Sequence, residues 1–192
     1  MRERELNVVP KTEACRVLLD AWLAWRGTHL LPHHDDIDPI GIGAILPQIS
    51  ILEVSTPDLM QFRLAGTGHR DIFGFELTGQ NVLDITPPKL RGQRSHRLWA
   101  AATQPCGYHL EIRLTYSHGI ADTFESLALP LEASTPEQPC MLIAAIESVV
   151  GRHWQNGPAP AIIDASADFF HFVDIGAGTP QSMEPPADEA SP

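Results

Sequence analysis

The densest cluster of chemistry-bearing side chains is His33-His34-Asp35-Asp36, four polar residues in a row. Imidazole and carboxylate together suit zinc or a similar ion. Adjacent residues seldom point at one centre, however, and no second histidine pair at helical or strand spacing joins them. Metal sites need converging ligands held by outer partners, so the cluster reads first as a solvated loop and no metal ligand is assigned. A second constellation is Arg91, Arg94 and Arg97, spaced by three. They could form part of an anion-binding helix face. With 24 acidic against 13 basic residues, the plainer assignment is a solvated face paired with local carboxylates. Arg70 beside Asp71 reads as a local pair that holds a turn. Nucleophilic chemistry lacks its motifs: the chain contains no G-x-S-x-G elbow, no H-E-x-x-H and no phosphate loop.

Composition narrows the classes further. The 192 residues suit one domain with extensions. A net charge of -11 argues against a nucleic-acid surface and against an anionic membrane as partner, both of which need a positive field. No run reaches the length of a membrane span, and the start, Met1 to Glu5, lacks an apolar signal core. Cys15, Cys106 and Cys140 are odd in number and far apart, with no metal-type pair, so a reducing cytoplasm is expected.

The elements that must position any site are legible by period. Cys15, Leu18, Leu19, Trp22 and Trp25 recur at helical spacing and stop at Gly27. Asp38 and Pro39 cap and begin a short helix expected to reach Leu46, and Pro47 forces an exit into a strand over Gln48 to Val54. Turn residues Ser55 to Asp58 lead to a returning strand, Met60 to Ala65. Phe62 and Leu64 are placed on one face of it. Gly66 and Gly68 then break the strand, a short helix runs from His69 to Phe73, Gly74 ends that helix, and Gly79 marks a second corner. Both Gly66 and Gly79 are expected in conformations poorly open to other residues. A strand, a glycine corner, a one-turn helix and a second glycine corner curl backbone around a small cavity.

Downstream, Lys89 to Thr103 is a helix stopped by Pro105. Tyr108, Leu110, Ile112, Leu114 and Tyr116 alternate with His109, Glu111, Arg113, Thr115 and Ser117, a strand with one wet face. Asp122 to Leu131 returns, Pro136 to Pro139 turns, and Met141 to Val149 is apolar on both faces save Glu147, hence central. The tally is an α+β domain built on a five-stranded antiparallel sheet with short helices on one face, an N-terminal helix and a C-terminal extension.

The run F-R-L-A-G-T-x-x-R-D-I-F-G-F-E-L-T-G, Phe62 to Gly79, resembles the strand-to-helix region of PAS domains, and more closely a stand-alone bacterial PAS family. Trp25-Arg26-Gly27, Pro32, Asp36 to Pro39, Leu46-Pro47 and Leu127 to Leu131 agree with that family in order and spacing. One departure is His33-His34-Asp35, where the family carries an arginine. The resemblance implies residues 1–30 as a helical extension, 31–150 as the PAS-like domain and 151–192 as an extension; beyond Gly176 there is almost nothing to bury, so disorder is expected there. It implies a cytoplasmic, non-enzymatic sensory or interaction module that binds a small molecule in its core, or a signalling protein partner, and responds by a population shift. No kinase, cyclase or DNA-binding segment is present after it, so the output is expected in another protein. Ligand-binding residues would be Phe62, Leu64, His69, Phe73, Tyr108, Leu110 and Ile112. The cofactor is unknown. His69 or His96 could serve as a haem ligand of the kind some PAS sensors use, but a lone histidine is a weak signal. Cys106 lacks the asparagine-cysteine motif of a flavin photosensor. The leading helix should pack on the outer sheet face or on a second subunit; its two tryptophans favour a homodimer through Leu18, Trp22 and Trp25. The competing reading is a small metal-dependent enzyme using His33 to Asp36. Finally, Phe169, Phe170, Phe172 and Val173 are costly to leave in water and should dock, by preference onto their own domain.

Overall fold

The computed structural model describes residues 6–133, 135, 137–151 and 160–180. Helix α1 (Glu13–Arg26) comes first, followed by 3-10 turns at His34–Asp36 and Gly43–Gln48. Strands β1 (Ile49–Thr56) and β2 (Leu59–Ala65) form a hairpin, and helices α2 (Thr67–Phe73) and α3 (Pro88–Thr103) come next. Strands β3 (Gly107–Tyr116), β4 (Ala121–Leu131), β5 (Met141–Ser148) and β6 (Ile162–Val173) complete one antiparallel sheet in the order β2-β1-β5-β4-β3-β6. The class is α+β as expected, but the sheet has six strands rather than five. The sixth is the aromatic segment, which docks at home: β3 would otherwise be an open edge, and β6 pairs along it from Gly107↔Val173 to Tyr116↔Ile162. The sheet therefore reaches past residue 150 into the segment read as an extension. The disorder expected towards the C-terminus falls largely on 181–192, outside the described residues.

The two faces of the sheet are covered by different helices. On the outer face, α1 lays Cys15, Leu18, Trp22 and Trp25 against Ile49, Leu127, Leu129, Ile143 and Ala145. Trp22 is fully buried, and its Nε1 donates to the Pro130 carbonyl at 2.8 Å. Leu18, Trp22 and Trp25 thus face their own sheet, which leaves none of the three as a surface for a second copy. The helix stripe has period 3.6, and the alternate residues of β4 and β5 supply the flat apolar surface it needs. On the inner face lie α3, through Leu98, Ala101 and Ala102, and the strand residues Leu52, Met60, Phe62, Ala128, Leu142 and Phe172. Burial on both sides explains why β5 is apolar from Met141 to Ile146.

Several local readings change. The helix expected over Pro39 to Leu46 is a turn followed by the 3-10 segment, with Pro47 inside it. Gly41 and Gly43 sit where an α-helix would need better formers. Leu64 does not share a face with Phe62: the β1–β2 register runs Ile51↔Leu64 and then Leu52↔Phe62, so Arg63 is a bulge that flips the alternation. Phe62 is buried and Leu64 is exposed. Gly79 has φ 84° as expected, whereas Gly66 has an ordinary φ of -65°. Gly66 is needed for space instead, since a Cβ there would lie 2.1 Å from the Leu46 carbonyl oxygen.

The outer face of β3 is not simply wet. His109 is buried, and its Nε2 donates to Glu125 Oε1 at 2.6 Å. Glu125, fully buried on β4, also accepts from the Thr12 hydroxyl at 2.7 Å and from the backbone N–H groups of Lys11 and Thr12 at 2.8 and 2.6 Å. Glu147 on β5 accepts from the Ala14 N–H at 2.9 Å. Two sheet carboxylates thus cap the N-terminus of α1, where free N–H groups and the helix dipole favour negative charge. Burial pushes the Glu125 carboxyl up, but the bonds from His109, Thr12 and Lys11 outweigh it and hold the pKa at about 2.

Candidate functional site

Between α3 and the inner face of the sheet lies a cavity of about 700 Å³. Its floor is the inward side of β3, Tyr108, Leu110, Ile112 and Leu114, with Ser126 from β4 and Ile146 from β5. The alternation that makes β3 legible in sequence is what aligns these four side chains. Ile162, Ala165, Ala167 and Phe170 of β6 form one wall. Phe73 and Phe75, around the end of α2, form another. The roof is α3, through Leu90, Arg94, Arg97 and Leu98, together with the Ile85 to Pro87 turn that leads into it. The volume lies within the range of small-molecule pockets, and the lining is mostly apolar with a few polar groups, as such pockets are.

The polar groups cluster on α3. Arg91, Arg94 and Arg97 all line the cavity. Arg94 Nη1 donates to Thr86 Oγ1 at 3.2 Å, and Arg91 Nε donates to the Thr86 carbonyl at 3.0 Å. Thr86 is free to accept because its own hydroxyl proton goes to the Val82 carbonyl at 2.7 Å. The Arg97 guanidinium lies over the Phe170 ring, 3.9 Å from its centroid, and its Nε is buried without a hydrogen-bond partner. Phe170 stacks in turn on Tyr108 at 5.9 Å. Burial lowers the pKa of Arg94 and of Arg97 from their ordinary values and raises that of the Tyr108 phenol. Among the described residues no carboxylate forms a salt bridge with any of the three arginines. The solvated, carboxylate-paired face expected for them is therefore corrected: the helix turns this row inward, and the weak apolar signal of α3 reflects a face that looks into a cavity.

Of the seven residues expected to bind ligand, Phe73, Tyr108, Leu110 and Ile112 line the cavity. Phe62 packs in the core beside it, and Leu64 points to solvent. His69 is buried in α2 with Nδ1 3.2 Å from the Gly66 carbonyl oxygen, and burial lowers its pKa. Neither His69 nor His96 lines the cavity. At the polar loop, His33 Nδ1 lies 3.0 Å from Glu132. Among the described residues no group of three or more histidine, cysteine or acidic side chains converges as a metal site would require. The lining missed in sequence includes the arginines, Leu90, Leu114, Ser126, Ile146 and the β6 residues; for β6 the alternation of Phe170 and Phe172 was the available signal.

The order of helices and strands and the helix-roofed cavity invite comparison with known folds, and the PAS domain pattern matches residues 10–145, more than half of the chain. The chain belongs to the PAS-domain family. Strand β6, on the β3 edge of the sheet, lies beyond the matched residues. Among solved structures, the chain is similar to a PAS domain from Colwellia psychrerythraea at 15% identity, over 58% of this chain and 97% of that one, with a TM-score of 0.40. No curated protein matches. Among the described residues, no helix of this PAS domain is long and apolar enough to cross a membrane.

Proposed function

We propose that this PAS domain is a sensory or interaction module that holds a small molecule beneath α3 and passes its occupancy to a protein partner, without catalysing a reaction. The cavity supports this most directly. A concave, mostly apolar space of about 700 Å³ with a few polar groups is the usual setting of a small-molecule site. Two walls are placed to report it: α3 spans the roof, and β6 forms an edge of the sheet. A molecule that binds one packing of these walls better than another shifts their populations by its differential affinity and no more. The lining offers arginines, a phenol and aspartates rather than a nucleophile held by a base, which favours binding over catalysis.

The dye 8-anilinonaphthalene-1-sulfonate, bright only in apolar surroundings, tests the cavity in the intact chain. One dye per chain should bind, and Ile112→Trp, which fills the floor, should abolish the emission while the near-ultraviolet circular dichroism of a packed core persists. Equal emission from both proteins would place the dye elsewhere and sink the assignment.

A further inference from the structure

We propose that the ligand of this cavity is an amphiphilic carboxylate, its head group held by Arg94 and Arg97 and its hydrocarbon laid along Leu110, Ile112 and Leu114. The inference rests on the proposal that the cavity binds a small molecule and adds the ligand's chemical class.

The cationic end carries the first half. Arg94 has five N–H donors and spends one on Thr86, and Arg97 rests on an aromatic face with Nε unpartnered. Withdrawing guanidinium from water without a counter-charge is unfavourable. In a chain of net charge -11 a carboxylate would be easy to supply, yet none pairs with these groups among the described residues. Of the two aspartates at the cavity, Asp84 is exposed and Asp164 is bonded to Lys89 Nζ at 2.6 Å. An incoming carboxylate would satisfy the guanidinium forks in the planar, bidentate geometry that arginine favours.

The apolar end carries the second half. Beyond the arginines the lining continues through Ile112 and Leu114 to Phe73, Leu90, Ile146 and Ile162. Ile112, Leu114, Leu90, Ile146 and Ile162 belong to a core cluster separate from the one around Tyr108 and Phe170, and Phe73 packs against both. Along β3 the floor from Tyr108 to Leu114 covers seven residues, about 20 Å of strand. An elongated molecule with one charged end matches this layout, whereas a small inorganic anion would leave the hydrophobic length uncovered.

Titration calorimetry with decanoate, 1-decanol, decyltrimethylammonium and inorganic phosphate tests the class. Decanoate should bind one per chain, about tenfold to a hundredfold tighter than 1-decanol, the range expected for hydrogen bonds to charged groups. Arg94→Met with Arg97→Met should bring decanoate to within about threefold of 1-decanol while 1-decanol binding persists, which also shows that the variant is folded. In the unmodified protein, 1-decanol equal to or tighter than decanoate would overturn the anionic class and leave the ligand-binding reading standing. Preference for decyltrimethylammonium, or phosphate binding as tightly as decanoate, would overturn it too. If neither decanoate nor 1-decanol nor the dye binds, both inferences fall together.

Discussion

Replacing Glu125 with glutamine should detach the start of α1 from the sheet and flatten the acid limb of stability. Glu125 is fully buried and receives its bonds from His109, from the Thr12 hydroxyl and from two backbone N–H groups, all between 2.6 and 3.0 Å. Its pKa falls from an ordinary 4.5 to about 2 on folding. The folded value lies below the unfolded one, so the stabilisation is whole above pH 4.5 and is lost as the pH falls from 4.5 towards 2. At about 1.4 kcal/mol per unit, the carboxylate contributes on the order of 3 kcal/mol at neutral pH. Glutamine keeps the shape but loses the charge, and it presents an amide N–H₂ to groups that are themselves donors. Glu125→Gln should therefore cost about 3 kcal/mol at pH 7, equivalent to a melting temperature lower by about 6–12 °C. Urea titrations followed by circular dichroism from pH 7 to pH 2 would measure both proteins. The unmodified chain should lose stability steeply below pH 4.5, and the variant should show a shallower limb that converges with it. A variant within about 0.5 kcal/mol of the unmodified protein at pH 7, or two acid limbs of equal slope, would refute the capping role.

Further expected outcomes concern the glycine corners and the outer helix. Gly79→Ala should cost about 1 kcal/mol by forcing a Cβ residue to positive φ, whereas Gly66→Ala should cost more, about 2–3 kcal/mol, because its Cβ must displace the Leu46 carbonyl; denaturant midpoints rank the two, and the reverse order would contradict the structure. Trp22→Ala should destabilise the fold by about 3–5 kcal/mol, since it empties a fully buried site and orphans the Pro130 carbonyl. Light scattering should show the same molar mass for that variant as for the unmodified chain; a dimer that becomes a monomer while stability is unchanged would place Trp22 at a subunit contact instead.

Much of the fold was legible because local periods are set by chain geometry. The β3 alternation, the α1 stripe and the doubly apolar β5 each reflect which faces are buried. The features that escaped depended on partners distant in sequence. The bulge at Arg63 exists only in pairing with β1, so Leu64 could not be placed from its own strand. The aromatic segment declared that it must dock, but its partner, the β3 edge, lies about fifty residues upstream. His109, Glu125 and Glu147 read as ordinary polar strand residues until α1 arrives on the outer face with free N–H groups. The arginine row of α3 was visible as a row; which way it faces is decided by the packing of Leu98 and Ala102 on the inner sheet. A cavity is a property of how elements fail to touch, and no residue spacing specifies it alone.

Native mass spectrometry of the purified chain, followed by denaturation and extraction, tests most directly whether the space beneath α3 is a ligand site. The account predicts a species heavier than the 21.1 kDa chain by one small molecule, either as isolated or after addition of decanoate. That added mass should vanish on denaturation and should never appear on Ile112→Trp. A bare chain under every gentle ionisation condition, with and without decanoate, would contradict the account, as would an adduct carried equally by Ile112→Trp.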